Sequence, residues 1–235
     1  MDYQNTLKYL YESAPMFQQI GGKAYKPGLE TTHKLDEHFG HPHQQFKTIH
    51  IAGTNGKGST LAFLAGIFRE SGYRAGRYVS PASFCYEERF RINEENISKE
   101  DLCFYMEKIK KISDEMVRDG MSHPTMFEIE TALSFLYFLD KKVDVVLLET
   151  GMGGRLDATN VVKKPIAVII ASIGMDHMQF LGDTIEKIAA EKAGIIKEGC
   201  PVISYNNQES VNEVIKEKAK AVSYTHLRAH ETRSN

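Results

Sequence analysis

A β-branched run, Thr48-Ile49-His50-Ile51-Ala52, leads straight into the turn Gly53-Thr54-Asn55-Gly56-Lys57-Gly58-Ser59-Thr60. An apolar, helix-periodic segment follows, with Leu61, Phe63, Leu64, Ile67 and Phe68. Strand, glycine-rich loop and helix in that order form a phosphate cradle. Glycines let successive backbone N–H groups converge on an anion, and the helix N-terminus adds partial positive charge. Lys57 supplies a point charge for β- and γ-phosphates, so Gly53, Thr54, Asn55, Gly56, Lys57, Gly58 and Ser59 are the candidate nucleotide contacts. The loop is shorter than the standard Walker A pattern, because only Thr54 and Asn55 separate Gly53 from Gly56. A plain glycine-rich turn with a solvated lysine is written in the same letters.

The rest of the chain suits such a loop. Strands are expected at Lys47–Ala52, Gly76–Val79, Val143–Leu148, Ile166–Ser172 and Pro201–Ser204. Helices are expected at Asp2–Glu12, Lys57–Ser71, Lys99–Arg118, Thr125–Leu139, Ile185–Ile195 and Glu209–Ala221. Near-continuous aliphatic strands such as Val143–Leu148 are typical of parallel strands covered on both faces. Helical crossovers between them predict an α/β fold with an open, doubly wound, mostly parallel sheet. Ligands of such sheets lie at the carboxyl ends of the strands. The glycine loop, Ser80-Pro81, Glu149 and Gly174–His177 all follow strands at that edge.

Several of these segments carry chemistry. Glu149 leaves a buried strand and is followed by Gly151, Gly153 and Gly154, where an acid would hold Mg²⁺ through hard oxygen ligands. His177, just past a strand, can ligate a metal, with Asp176 or a carbonyl to orient it. It can equally be a surface residue. Lys192 sits in a mostly apolar helix and by itself reads as a snorkelling side chain near a Glu. Thr125 and Glu128 have capping-box spacing, and Phe127 can be plain core.

Composition narrows the setting. The 235 residues are 42% hydrophobic and 26% charged with net charge -2, which argues against nonspecific nucleic-acid binding. Cys85, Cys103 and Cys200 lack metal-site or disulfide spacing and read as thiols of a reducing compartment. No signal peptide or bilayer-length apolar run is visible, so a cytoplasmic protein is expected, with no membrane partner. One domain is expected over residues 1–221. Residues 222–235 turn basic and His-rich without strand or helix period, and read as a non-native tail.

Together these segments resemble the folylpolyglutamate synthase/dihydrofolate synthase family of Mur-ligase-type ATP-dependent amide ligases. The resemblance rests on His50–Thr60, Ser80-Pro81, Thr125–Ala132, Leu147–Asn160, Ile173–Thr184 and Glu191–Ile195, in family order. It implies a Mur-ligase central-domain fold with a P-loop. ATP phosphates would meet Thr54, Asn55, Gly56 and Lys57. Ser80, Glu149 and His177 would ligate Mg²⁺. Lys192 would be a carbamylated lysine supporting a second Mg²⁺, so Lys57, Lys192 and His177 form the catalytic set. Thr125, Met126, Phe127, Glu128, Leu156, Asp157 and Ala158 would line the folate pocket. Gly28, Leu29 and Glu30 match an early pterin-contact segment more loosely. The implied reaction adds L-glutamate to a folate or dihydropteroate carboxylate through an acyl phosphate. Another Mur-type ligase, or a nucleotide-binding module without turnover, are the rival readings. After Ser80-Pro81 the chain has Ala82-Ser83-Phe84 where the family has His and a loop. The family's adenine contacts and C-terminal Rossmann-like, glutamate-binding domain have no counterpart before residue 235, so little ligase activity is expected of this chain alone.

Overall fold

The computed structural model describes residues 1–12, 28–222 and 227–228. Its centre is an eight-stranded sheet. The strands are β1 (Lys47–Ala52), β2 (Ala75–Tyr78), β3 (Phe90–Ile92), β4 (Glu95–Asn96), β5 (Val145–Glu149), β6 (Ala167–Ile170), β7 (Val202–Ser204) and β8 (Leu227–Arg228). They are ordered β4-β3-β2-β5-β1-β6-β7-β8. Pairings from β2 through β8 are parallel, and β3 pairs antiparallel with β2 and β4. The doubly wound, mostly parallel architecture expected from the sequence is present.

Two sets of helices cover the sheet. α1 (Tyr3–Glu12), α2 (Glu30–His38), α4 (Lys99–Arg118) and α5 (Met126–Asp140) enclose one core with Tyr78, Phe90, Val146 and Leu148. α6 (Met178–Leu181), α7 (Ile185–Ala193) and α8 (Glu209–Ala221) lie over β6 and β7, where Val168, Ile170 and Val202 meet Ile188 and Ile215. α3 (Lys57–Glu70) packs Leu61 and Ala65 on Ile49, Ile51, Val145 and Leu147. Residues 49 and 51 of β1 therefore face α3, while Thr48, His50 and Ala52 alternate to the other side.

Helix starts follow local chemistry. Ser98 caps α4 by accepting the Asp101 N–H. Thr125 and Glu128 form a complete capping box at α5, which satisfies N–H groups the first turn cannot bond internally. α2 was not expected. Its sequence, Glu-Thr-Thr-His-Lys-Leu-Asp-Glu-His, has one aliphatic residue and no apolar stripe. Tertiary bonds hold it instead, since the Thr31 and Thr32 hydroxyls both donate to the Glu128 carboxylate. β3, β4 and α6 were also not expected, being too short for a period to show.

The tail differs from its expectation in one place. Leu227–Arg228 adds a parallel edge strand against Val202–Ile203. Two residues pair through backbone groups alone and need no side-chain alternation. The remainder of 223–235 lies outside the described residues. Among the described residues, no helix is long and apolar enough to cross a membrane.

Candidate active site

The glycine loop is anchored by its neighbour strand. A Cβ on Gly53 would lie 2.8 Å from the Ala171 Cβ, so only glycine lets β1 end against the segment after β6. The Ser172 carbonyl accepts the N–H groups of Thr54 (2.8 Å) and Asn55 (3.1 Å). The Thr54 hydroxyl donates to the Gly174 carbonyl and accepts the Gly174 N–H, both at 3.1 Å. Gly56 then turns the chain with φ +84° and opens α3 without a side-chain cap. A Cβ on Gly56 or Gly58 would meet nothing within 4 Å. The first turn of α3 thus faces open space with its N–H groups uncapped, the geometry that receives phosphate.

Three ionisable side chains converge behind this turn. Lys57 Nζ lies 3.1 Å from the Gly53 carbonyl oxygen and 3.8 Å from Glu149 Oε1. Lys192 Nζ donates to the same Gly53 oxygen at 3.0 Å and is 4% exposed. Two ammonium groups therefore share one carbonyl oxygen, and one of them, Lys57, also faces the Glu149 carboxylate. Burial, helped by the Lys57 charge, lowers the Lys192 pKa to about 8. Burial raises Glu149 to about 7 against the opposing pull of Lys57 and the Ser80 N–H. Ser80 is thereby placed beside Glu149.

The turn after β5 brings Lys192 to this point. A Cβ on Gly151 would lie 2.7 Å from the Phe127 ring, and one on Gly154 would lie 2.8 Å from the carbonyl oxygens of Glu191 and Lys192. The turn therefore rests directly on the end of α7. Arg155 N–H donates to the Glu191 carbonyl at 2.8 Å, and the two side chains pair at 2.8 Å. Gly154→Ala should force apart this backbone contact. We expect a loss of about 1–3 kcal/mol in urea unfolding, and unaltered stability would show that the turn relaxes freely.

Other expected site residues fall into two groups. Glu128, Asp157, Met126 and Ala158 are buried in the fabric of the fold. Glu128 Oε2 accepts the Thr125 N–H at 2.8 Å, and Asp157 Oδ2 accepts the N–H groups of Gly151 (2.8 Å) and Met152 (2.9 Å). Thr125, Phe127, Leu29 and Leu156 are half-buried, and Gly28 (φ +136°) and Glu30 are exposed. Ser59 is exposed on the first turn of α3. His177 is exposed and opens α6 with φ +49°; its Nε2 lies 3.6 Å from Asp176 Oδ2. Asp176 also acts electrostatically on Lys192, raising its pKa. Among the described residues, no three His, Cys, Asp or Glu side chains form a metal-holding group.

The sequence reading missed two buried polar centres. Glu130 is 1% exposed and accepts from Tyr86 Oη at 2.8 Å and from Arg89 at 3.1 Å. His50 is fully buried and bonds Thr159 Oγ1 at 2.8 Å. A histidine inside the aliphatic β1 was the available signal for the second.

Residues 51–234 match the Mur ligase middle domain. The chain is 45% identical over 196 residues to the dihydrofolate synthase/folylpolyglutamate synthase of Bacillus subtilis (strain 168), a match covering 83% of this chain and 45% of that protein. The crystal structure of folylpolyglutamate synthase from Thermotoga maritima superposes with TM-score 0.84 at 40% identity, covering 97% of this chain and 49% of that one. An FPGS–AMPPCP–folate complex superposes with TM-score 0.84 at 34% identity, covering 97% and 54%. The chain spans about half the length of these relatives. With the glycine loop, the Glu149 turn and the α7 lysine gathered at one sheet edge, this chain belongs to the Mur ligase middle-domain family.

Proposed function

We propose that this chain is the nucleotide-binding part of an ATP-dependent ligase that joins L-glutamate to a folate or dihydropteroate carboxylate. The carrying observation is the convergence of Lys57 and Lys192 on the Gly53 carbonyl, with Glu149 3.8 Å from Lys57, beneath an uncapped helix start. Similarity to folylpolyglutamate synthases, one of them in complex with AMPPCP and folate, supports the substrate class.

In this reading the substrate carboxylate attacks the ATP γ-phosphorus, ADP leaves, and the glutamate amine then displaces phosphate from the acyl phosphate. Charge spreads over phosphoryl oxygens, so the protein's work is electrostatic positioning. The N–H groups from Gly56 to Ser59 receive phosphate oxygens. Lys57, held toward Glu149, moves its ammonium to the β/γ-phosphates.

The residues fit Mg²⁺ by donor chemistry. The Glu149 carboxylate, the Ser80 hydroxyl and the His177 imidazole offer the small protein share that Mg²⁺ takes when phosphates and water complete its shell. When bound, Mg²⁺ neutralises charge on the transferring phosphoryl group. Lys192 would carry the carbamate. Its lowered pKa keeps a fraction of the amine unprotonated near neutral pH, and that amine adds CO₂ with release of a proton. One cation becomes an anion, which suits a second Mg²⁺. The pterin end of the substrate would rest on Gly28, Leu29, Thr125, Phe127 and Leu156, with Met126, Glu128, Asp157 and Ala158 shaping that surface from beneath. A cytoplasmic setting is consistent with Cys85, Cys103 and Cys200 all being free thiols.

A substrate panel tests the assignment. The chain is placed in a full-length ligase and ATP turnover is measured with dihydropteroate, tetrahydrofolate and a UDP-linked precursor, each with glutamate. Turnover with either pterin and none with the UDP-linked compound is expected. The reverse preference would move the chain to another Mur-type ligase.

A further inference from the structure

His50 stands out on β1 as a buried polar side chain that the reaction chemistry does not use. Its strand neighbours in register are Leu148 and Val168, so an aliphatic side chain would suit the position. Instead the imidazole reaches Thr159 Oγ1 at 2.8 Å. Thr159 Oγ1 lies 2.5 Å from Asp157 Oδ1, and the Thr159 N–H donates to the same oxygen at 3.0 Å. The other oxygen, Oδ2, accepts from Gly151 and Met152.

With Asp157 ionised, the protons in this network have one consistent assignment. Asp157 accepts four hydrogen bonds, which favour its ionised form against the burial that raises its pKa. The Thr159 hydroxyl has one proton and gives it to Asp157, its closer partner. Its oxygen must then accept from His50, so His50 carries its proton on Nε2. Nδ1 is left as a bare acceptor, and it has no partner. Burial lowers the His50 pKa to about 3, so the ring stays neutral. A polar network of this kind selects one arrangement of the groups it ties together.

Those groups are the strand leading into the phosphate loop and the turn leaving Glu149. We propose that His50 is a positioning residue for the nucleotide site: through Thr159 and Asp157, its Nε2–H fixes the Gly151–Met152 turn and so the direction in which Glu149 presents its carboxylate. This rests on the nucleotide reading of the site, and its link to the turn can be measured separately.

The test contrasts His50→Gln with His50→Asn in the chain as it stands. A glutamine amide can place an N–H near the position of imidazole Nε2, whereas asparagine reaches only near Nδ1. Amide hydrogen exchange is read at Gly151 and Met152, with Thr54 and Asn55, which hang on Ser172, as controls. Binding of AMPPCP is titrated with and without Mg²⁺. His50→Asn is expected to speed exchange at Gly151 and Met152 by about tenfold or more and to weaken Mg²⁺-dependent AMPPCP binding by about tenfold. His50→Gln should restore most of both, and the control amides should not change. Equal behaviour of the two variants, loosening spread evenly over all four amides, or a freed turn with unchanged Mg²⁺-dependent binding would each overturn the proposal. Failure of the unmodified chain to bind AMPPCP would instead remove the nucleotide reading and the catalytic purpose of the positioning, leaving the exchange contrast to decide whether His50 sets the turn.

Discussion

Lys57→Ala weakens binding of a non-hydrolysable ATP analogue to this chain by about tenfold to a hundredfold, the scale of a lost charge-assisted hydrogen bond to phosphate. Lys57 stands 3.8 Å from Glu149, with its ammonium on the Gly53 carbonyl. Its side chain is 15% exposed, so the alanine leaves a small, partly open gap and little damage to the core. Isothermal titration against AMPPCP reads the loss directly. Because Lys57 holds down the Glu149 pKa, its removal also leaves a buried carboxylate that protonates more readily. Affinity retained within twofold would mean that the loop does not hold phosphate.

The second large effect belongs to Lys192. In a full-length ligase, Lys192→Ala should lower turnover by about a hundredfold or more, as when a preorganised electrostatic contact at phosphoryl oxygens is deleted. A short-chain carboxylate should restore part of the rate by standing in for the carbamate, whereas bicarbonate should not. In the present chain the same lysine is expected to give a carbamate carbon signal in NMR after incubation with ¹³C-bicarbonate. That signal should vanish in Lys192→Ala. An undiminished rate together with no carbamate signal would return Lys192 to a structural ammonium, bonded to Gly53 and nothing more.

Legibility of the fold in the sequence varied with the source of each element's stability. β1, α4 and α8 carry their own signals, and their expected bounds agree with those observed. Capping residues and aliphatic runs are local facts, and local facts survive in a linear sequence. α2 is the opposite case. Thr31 and Thr32 hold it to a carboxylate nearly a hundred residues away, and no local pattern encodes that bond. β6 shows a third kind. The aliphatic run Ile166–Ser172 is longer than the strand Ala167–Ile170, because its end leaves the ladder to bond the glycine loop.

The site divides in the same way. Glu149 could be placed from its position at the end of a buried strand, and it meets Lys57. Lys192 was placed only through the family resemblance, because spacing alone gives a lysine on an apolar helix. Only the close approach of Gly154 to the end of α7, which is a tertiary contact, delivers its ammonium to Gly53. Glu128 and Asp157 show the reverse problem. Their motifs are conspicuous, yet both carboxylates are occupied by bonds within the chain. Any part they take in binding substrate comes through the surfaces they hold in place.

A structure of this chain soaked with AMPPCP and Mn²⁺, the metal located by its anomalous signal, would bear most directly on the site. We expect phosphate oxygens on the N–H groups of Gly56 to Ser59 and on Lys57, with the metal against the Glu149 carboxylate. Nucleotide bound elsewhere, or metal seated away from Glu149, would contradict the account.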